Sequence, residues 1–190
     1  MSRQRPEAFI FMKVGNHAGE TFEQILERKR RELVEAGRIF WGYGGFTCHP
    51  IHHVQPFCRI HLSKVNGIYL FMESIDSRAK PELAQATEFS QDGIGWQPLP
   101  EGVTVKGSRY ALVLDEIRPG DLDLRLNEYI VGVGKSRGKP APAYLRGHVD
   151  KGCFEKSPGA QVPNAGVTRK HISYIARLKE PFAVLLRGDG

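Results

Sequence analysis

Cys48-His49-Pro50-Ile51-His52-His53-Val54-Gln55-Pro56-Phe57-Cys58-Arg59-Ile60-His61 gathers four of the chain's seven histidines and two of its three cysteines. Thiolate and imidazole are the side chains that bind zinc, and imidazole also moves protons near neutral pH. The metal-ligand candidates are therefore Cys48, His49, His52, His53, Cys58 and His61. The spacings Cys48-x3-His52 and Cys58-x2-His61 allow local chelation. Neither a CxxC pair nor an HExxH motif is present, so no zinc signature is complete and zinc is not the favoured reading.

Directly before this segment runs Phe40-Trp41-Gly42-Tyr43-Gly44-Gly45. Aromatic faces stack on bases and sugars, and glycine lets a ligand approach the backbone closely. Trp41, Tyr43, Phe46 and Trp96 are the stacking candidates. His17, in Gly15-Asn16-His17-Ala18-Gly19, follows an apolar strand and joins His49 as a candidate hydrogen-bonding group; pairing of the first two strands would bring His17 to the same pocket.

A basic glycine segment offers the counterpart. Gly132-Val133-Gly134-Lys135-Ser136 ends like a phosphate loop. The first glycine of a Walker A motif would fall on Tyr129, and Pro140 and Pro142 forbid the helix that should follow, so this is not a Walker A motif. It remains an anion contact built on flexible backbone with Lys135, Arg137 and Lys139 nearby. Arg109 is a further phosphate candidate. The run Arg28-Lys29-Arg30-Arg31 lies in a helical pattern, which spreads the four around the helix instead of lining them up.

Two His-x-Ser units, His61-Leu62-Ser63 and His171-Ile172-Ser173, are each bordered by apolar residues. This pairing resembles the 2H phosphoesterases. The resemblance implies two neighbouring strands, with His61 and His171 as base and acid on a phosphodiester and with Ser63 and Ser173 holding the phosphate. Cys153 has no histidine or asparagine arranged around it for nucleophilic catalysis and reads as structural.

Charge supports anionic partners. Over 190 residues the formal net charge is +6 and the isoelectric point about 9.3, which favours nucleotides or nucleic acid. No run of apolar residues reaches membrane-spanning length, and residues 1–7 lack the apolar core of a secretory signal. Three irregularly spaced cysteines make no disulfide framework, so a cytoplasmic protein without a membrane partner is expected.

The elements that must position these groups follow from pattern. Residues 8–14 are an apolar strand. Thr21 with Gln24 forms a capping box before Phe22, Ile25, Leu26 and Leu33 at helical spacing, and Gly37 stops a helix over 21–36. Further strands are predicted over 38–43, 67–75, 108–115, 172–178 and 182–186, with a hairpin turning at Asp92-Gly93. Pro50 and Pro56 break the cysteine–histidine stretch, 57–65 is helix or strand, and Pro119-Gly120 ends the strand before it. Residues 132–166 read as one long glycine- and proline-rich loop.

Together these give one α+β domain over 1–190: a curved antiparallel or mixed sheet, or a small barrel, with one or two packed helices. A PUA-like or related nucleotide-binding barrel has a similar order of elements. The expected function is binding of a nucleotide-like anion in an aromatic, histidine- and glycine-lined pocket formed by His17, Trp41, Tyr43, His49, Trp96, Arg109, Lys135 and Arg137. No catalytic signature is complete, so binding precedes the two enzymatic alternatives, the paired-histidine phosphodiesterase and a metal-dependent hydrolase at the cysteine–histidine cluster.

Overall fold

A computed structural model describes residues 5–45, 48–64, 67–78, 81–146, 149–159 and 168–188. Its centre is a curved mixed sheet. Strands β1 (Ala8–Val14) and β3 (Tyr69–Ser74) run parallel, joined by a crossover through helix α1 (Phe22–Ala36), strand β2 (Ile39–Gly42) and helix α2 (Ile51–Leu62). The remaining strands are β4 (Glu88–Ser90), β5 (Gln97–Pro98), β6 (Tyr110–Arg125), β7 (Tyr129–Val131), β8 (Lys151–Lys156) and β9 (Arg169–Arg187), with a short helix α3 (Ala141–Tyr144). The order is β2-β6-β9-β3-β1-β8-β7, an open path, while β4 pairs with both β5 and β9. The fold is thus α+β.

Alternation along β1 explains the layering. Ala8 and Ile10 pack with Phe22, Ile25 and Leu26 of α1 and with Val54, Phe57 and Cys58 of α2. Phe9 and Phe11 face the other way, against Phe71, Tyr129, Leu145 and Phe154. Successive strand side chains point to opposite faces, so one strand serves two cores. A third cluster, with Phe40, Phe89, Val103, Val113 and Leu186, closes the β2–β6 end.

Helix α1 forms as its sequence dictates. Thr21 Oγ1 accepts from Gln24 N–H, the Gln24 side chain accepts from Thr21 N–H at 2.9 Å, and Gly37 closes the helix at φ +67°. Both predicted boundaries hold to within a residue.

Four expectations change. Pro50 marks a break as expected, capping α2 after Cys48 and His49, but Pro56 lies inside the helix, so residues 51–62 are unbroken. Pro56 is exposed, which leaves the carbonyl it fails to pair open to water. Pro119-Gly120 does not end β6; the strand bends there through a register shift against β9. Residues 172–178 and 182–186 belong to one bent strand, β9. The segment 132–166 is not one loop, because it carries α3 and β8, the latter paired with β1 and β7. The last part of that segment, from residue 160, lies outside the described residues.

Candidate functional site

Four of the predicted site residues line two separate cavities, His17 and Trp41 the first and His49 and Lys135 the second. Gly44 is packed so tightly that a β-carbon there would stand 2.3 Å from a Tyr110 ring carbon and 2.7 Å from its backbone nitrogen. Glycine at this position lets β2 run on beside β6, with the Tyr43 and Gly44 amides both donating to the Tyr110 carbonyl. Beyond it, Gly45 N–H donates to Cys48 Sγ at 3.0 Å.

The first cavity, about 210 Å³, lies where β1, α1 and β2 meet the segment 104–108. His17 reaches it from a tight turn: Ala18 and Gly19 both have positive φ, and His17 and Glu20 exchange backbone hydrogen bonds at 3.0 and 2.9 Å. Its Nε2 lies 3.1 Å from the Lys106 carbonyl. A carbonyl only accepts, so Nε2 donates in this contact and Nδ1 is left for a second partner. Asn16 is fixed beside it by Ser77, whose Oγ accepts from Asn16 N–H at 2.7 Å and whose carbonyl accepts from Asn16 Nδ2 at 3.1 Å.

Trp41 lines the same cavity, although β1 and β2 do not pair. Its Nε1 donates to Met12 Sδ at 3.4 Å. With 4% of its surface exposed, Trp41 is a wall and not a free stacking face. The cavity is lined by five cationic side chains, Lys13, Arg28, Lys29, Lys106 and Lys151, against one acid, Asp150. Arg28 and Lys29 are already held by Glu20 and Glu32. The three other lysines of the lining also have partners. Lys13 sits 3.5 Å from Asp150, Lys106 3.7 Å from the exposed Glu82, and Lys151 Nζ donates to the Tyr43 carbonyl at 2.8 Å.

The second cavity, about 380 Å³, is lined by Cys48, His49, Pro50, His53, Gly134, Lys135, Ser136 and Tyr144. His49 is buried and stacked on Tyr144, with ring centroids 5.7 Å apart and planes within 7°. Its Nε2 lies 3.4 Å from Tyr144 Oη, and Tyr110 Oη donates to its carbonyl. Burial, and secondarily the His53 charge, pushes the His49 imidazole down to about 4, so it is neutral at pH 7.

The other predicted ligand contacts lie elsewhere. Tyr43 is fully buried, its hydroxyl donating to the Phe11 carbonyl at 3.4 Å, so it cannot stack on a ligand. Trp96 is on the β4–β5 hairpin, with the Arg187 guanidinium 4.2 Å from its ring centroid. Arg109 lines neither cavity. Arg137 is exposed, 4.0 Å from Glu155. Phe46 lies outside the described residues.

The six metal-ligand candidates do not converge. Cys58 is buried in the main core, where burial raises its thiol far above the usual range. His61 gives Nε2 to Glu155 at 3.0 Å, and His52 is exposed. Cys48, His49 and His53 line the second cavity, yet among the described residues no three histidine, cysteine, aspartate or glutamate side chains form a metal-binding group. Cys48 and His49 precede α2, and the helix distributes the other four over different faces.

The two His-x-Ser units also separate. His61 is on α2 and not on a strand. Its partner Glu155 pairs with Ala8, whose row across the sheet passes near Ile68 and Leu178. His171 stands seven residues further along β9, roughly 23 Å at strand rise, and faces Asp123. Ser173 Oγ accepts from Ser74 N–H and Ser63 Oγ donates to the Ile60 carbonyl. The shared phosphate site that the phosphodiesterase alternative requires is not formed.

Sequence reading missed Lys13, Asn16, Lys106, Lys151 and Tyr144. Lys13 was discoverable as the one charge in an apolar strand. Lys106, Lys151 and Tyr144 carry no local signal, since only chain crossings bring them to the cavities. Among the described residues no helix is long and apolar enough to cross a membrane. No family model, curated protein or solved structure matches the chain.

Proposed function

We propose that the protein binds a nucleotide-like anion in the first cavity, either as a free nucleotide or as a single base presented by a nucleic acid. The observation that carries this reading is the pinning of His17 to the Lys106 carbonyl, across 89 positions of sequence, beside Trp41 and the three lysines. The pinned His17 imidazole and the fixed Asn16 suit the edge of a base. Lys13, Lys106 and Lys151 suit a phosphate or the charge of a ribose phosphate. Ordinary small-molecule sites enclose roughly 300–1,000 Å³, so 210 Å³ takes one base or one phosphorylated fragment, and the rest of a nucleotide extends over the open side. The excess of cations over acids in the lining favours an anionic ligand over a neutral one.

Titration calorimetry with AMP, GMP, ATP, GTP and cyclic AMP tests it. Saturable binding of at least one is expected, weakened tenfold or more by His17→Ala and by Lys151→Met. Absence of binding across the panel at millimolar concentration, in protein that melts cooperatively, overturns the reading. Trp41→Phe is the suitable probe of the wall, because Trp41→Ala would open the core.

A further inference from the structure

The second cavity brings together groups that the first does not share, for no residue lines both. His53 Nδ1 is buried and has no hydrogen-bond partner among the described residues. A β-carbon built on Gly134 would lie 3.2 Å from His53 Nδ1 and 3.8 Å from His49 Nδ1, so both imidazole nitrogens face one spot beside the Gly134 backbone. Gly134 has φ +68°, a conformation that glycine adopts without strain, and its lack of a β-carbon lets both rings approach its backbone. The following residues, Lys135 and Ser136, complete that side of the cavity, and Tyr144 and Cys48 lie opposite or beside the histidines.

The chemistry of the lining selects the occupant. Lys135, Ser136, Tyr144 and the imidazole N–H groups all donate hydrogen bonds, and the lining contains no carboxylate. A buried imidazole nitrogen without a partner carries an unmet hydrogen-bonding demand. A bound cation would meet the Lys135 ammonium with no acid to offset it. A tetrahedral oxyanion would instead accept from the lysine, the serine and both imidazoles at once. The volume exceeds that of a bare phosphate and falls within the range of small-ligand sites.

We propose that this cavity is a phosphoryl-recognition site, in which His49, His53, Lys135 and Ser136 hold the phosphate of a small phosphomonoester. Tyr144 is a positioning residue there, since its ring carries that of His49. The site is independent of the nucleotide-like ligand of the first cavity, and either can fail without the other.

The test is a titration of the full chain, labelled with 15N in its histidine rings, with inorganic phosphate and in parallel with acetate and with zinc. The His53 ring signals are identified by their loss in His53→Gln. Saturable shifts of the His53 and His49 ring nitrogens with phosphate are expected, at least tenfold tighter than with acetate. Lys135→Ala and Ser136→Ala, both at surface positions of a loop, should each weaken phosphate by fivefold or more while the amide spectrum stays otherwise unchanged. His17→Ala should leave these shifts as they are, which separates this site from the first. Unmoved ring signals at 20 mM phosphate, on the order of a very weak site by affinity arithmetic, overturn the proposal. So do equal affinities for acetate and phosphate, a response untouched by Lys135→Ala, or tight zinc binding that excludes phosphate.

Discussion

Lys29 grips both carboxylate oxygens of Glu32 at 2.8 and 3.0 Å inside the protein, where α1 backs the first cavity. The same ammonium donates to the Phe40 and Thr104 carbonyls, each at 2.6 Å, and Glu32 accepts from Thr104 N–H at 2.9 Å. One buried pair therefore ties helix α1 to strand β2 and to the segment that carries Lys106. Burial pushes the Lys29 ammonium down to about 8, and burial also raises the Glu32 carboxyl. Desolvation thus outweighs mutual attraction on both partners. Removing Lys29 leaves Glu32 buried with only the longer Arg28 contact at 3.3 Å, so the cost lies toward the lower end of the roughly 3–5 kcal/mol for a broken buried pair, whereas replacing both with apolar side chains is less harmful. Lys29→Met should lower the unfolding free energy by about 3 kcal/mol in urea titration, and Lys29→Met with Glu32→Leu should recover part of it. Equal stability of the single variant and the parent would contradict this account.

Gly44 and Gly45 are neighbours with opposite tolerances. A β-carbon at Gly44 would overlap Tyr110 backbone, which cannot swing aside, while at Gly45 the nearest atom is the flexible Lys151 Nζ at 3.8 Å. Overpacking of this kind costs about 1–3 kcal/mol. Gly44→Ala should therefore melt several degrees below the parent, and Gly45→Ala should melt with it. Because Gly45 lines the first cavity, the second variant also reports on ligand access without disturbing the fold.

The regular elements of this fold were readable because their signals are local. The Thr21–Gln24 box, the Gly37 stop and the apolar run of β1 each specify structure within a few residues. Proline was the misleading signal. Pro56 is accommodated in α2 because its face of the helix is open to water, and Pro119 because β6 bends beside it. The candidate site residues were only half legible. His17 and Trp41 stood out by type and met in one cavity, but Tyr43 was drawn into the core by the same alternation that made β2 a strand. Lys151 comes to the cavity through the pairing of β8 with β1 and Lys106 through a bridge to Gln85, neither of which a local pattern records.

The two tryptophans should behave differently on substitution. Trp96 stands on the hairpin under Arg187, and such a cation–π pair contributes about 0.5–1 kcal/mol where it is exposed. Trp96→Ala should cost no more than about that much, on the same scale, and should leave nucleotide binding unchanged. Trp41 is in the main core cluster, so Trp41→Phe should reduce stability measurably and alter ligand affinity. If Trp96→Ala abolished nucleotide binding, the ligand would have to lie at the hairpin and not against β1 and β2. Calorimetry on the two variants decides it.

His49 links the second cavity to acid stability. Its folded value of about 4 lies below the ordinary 6.5, because burial disfavours the charged ring. The unfolded chain therefore takes up a proton near pH 6.5, while the folded chain does not until about pH 4. Between those values the unfolded state binds more protons, so stability falls as pH falls through this window; above it the group has no effect. Discounted for solvent screening, the loss is about 2 kcal/mol below pH 4. The cavity that His49 lines also has Cys48, Pro50, His53, Tyr144 and the Gly134–Ser136 turn with Lys135, none of them a carboxylate that could hold the charged ring. His49→Phe keeps a ring for Tyr144 to stack on and removes the titration. Urea unfolding at pH 7.5 and pH 4 should show the parent losing about 2 kcal/mol more than this variant, in line with the linkage relation. Identical losses would mean that His49 accepts its proton in the folded protein as readily as in the unfolded chain, and that the cavity is wetter than its packing against Tyr144 implies.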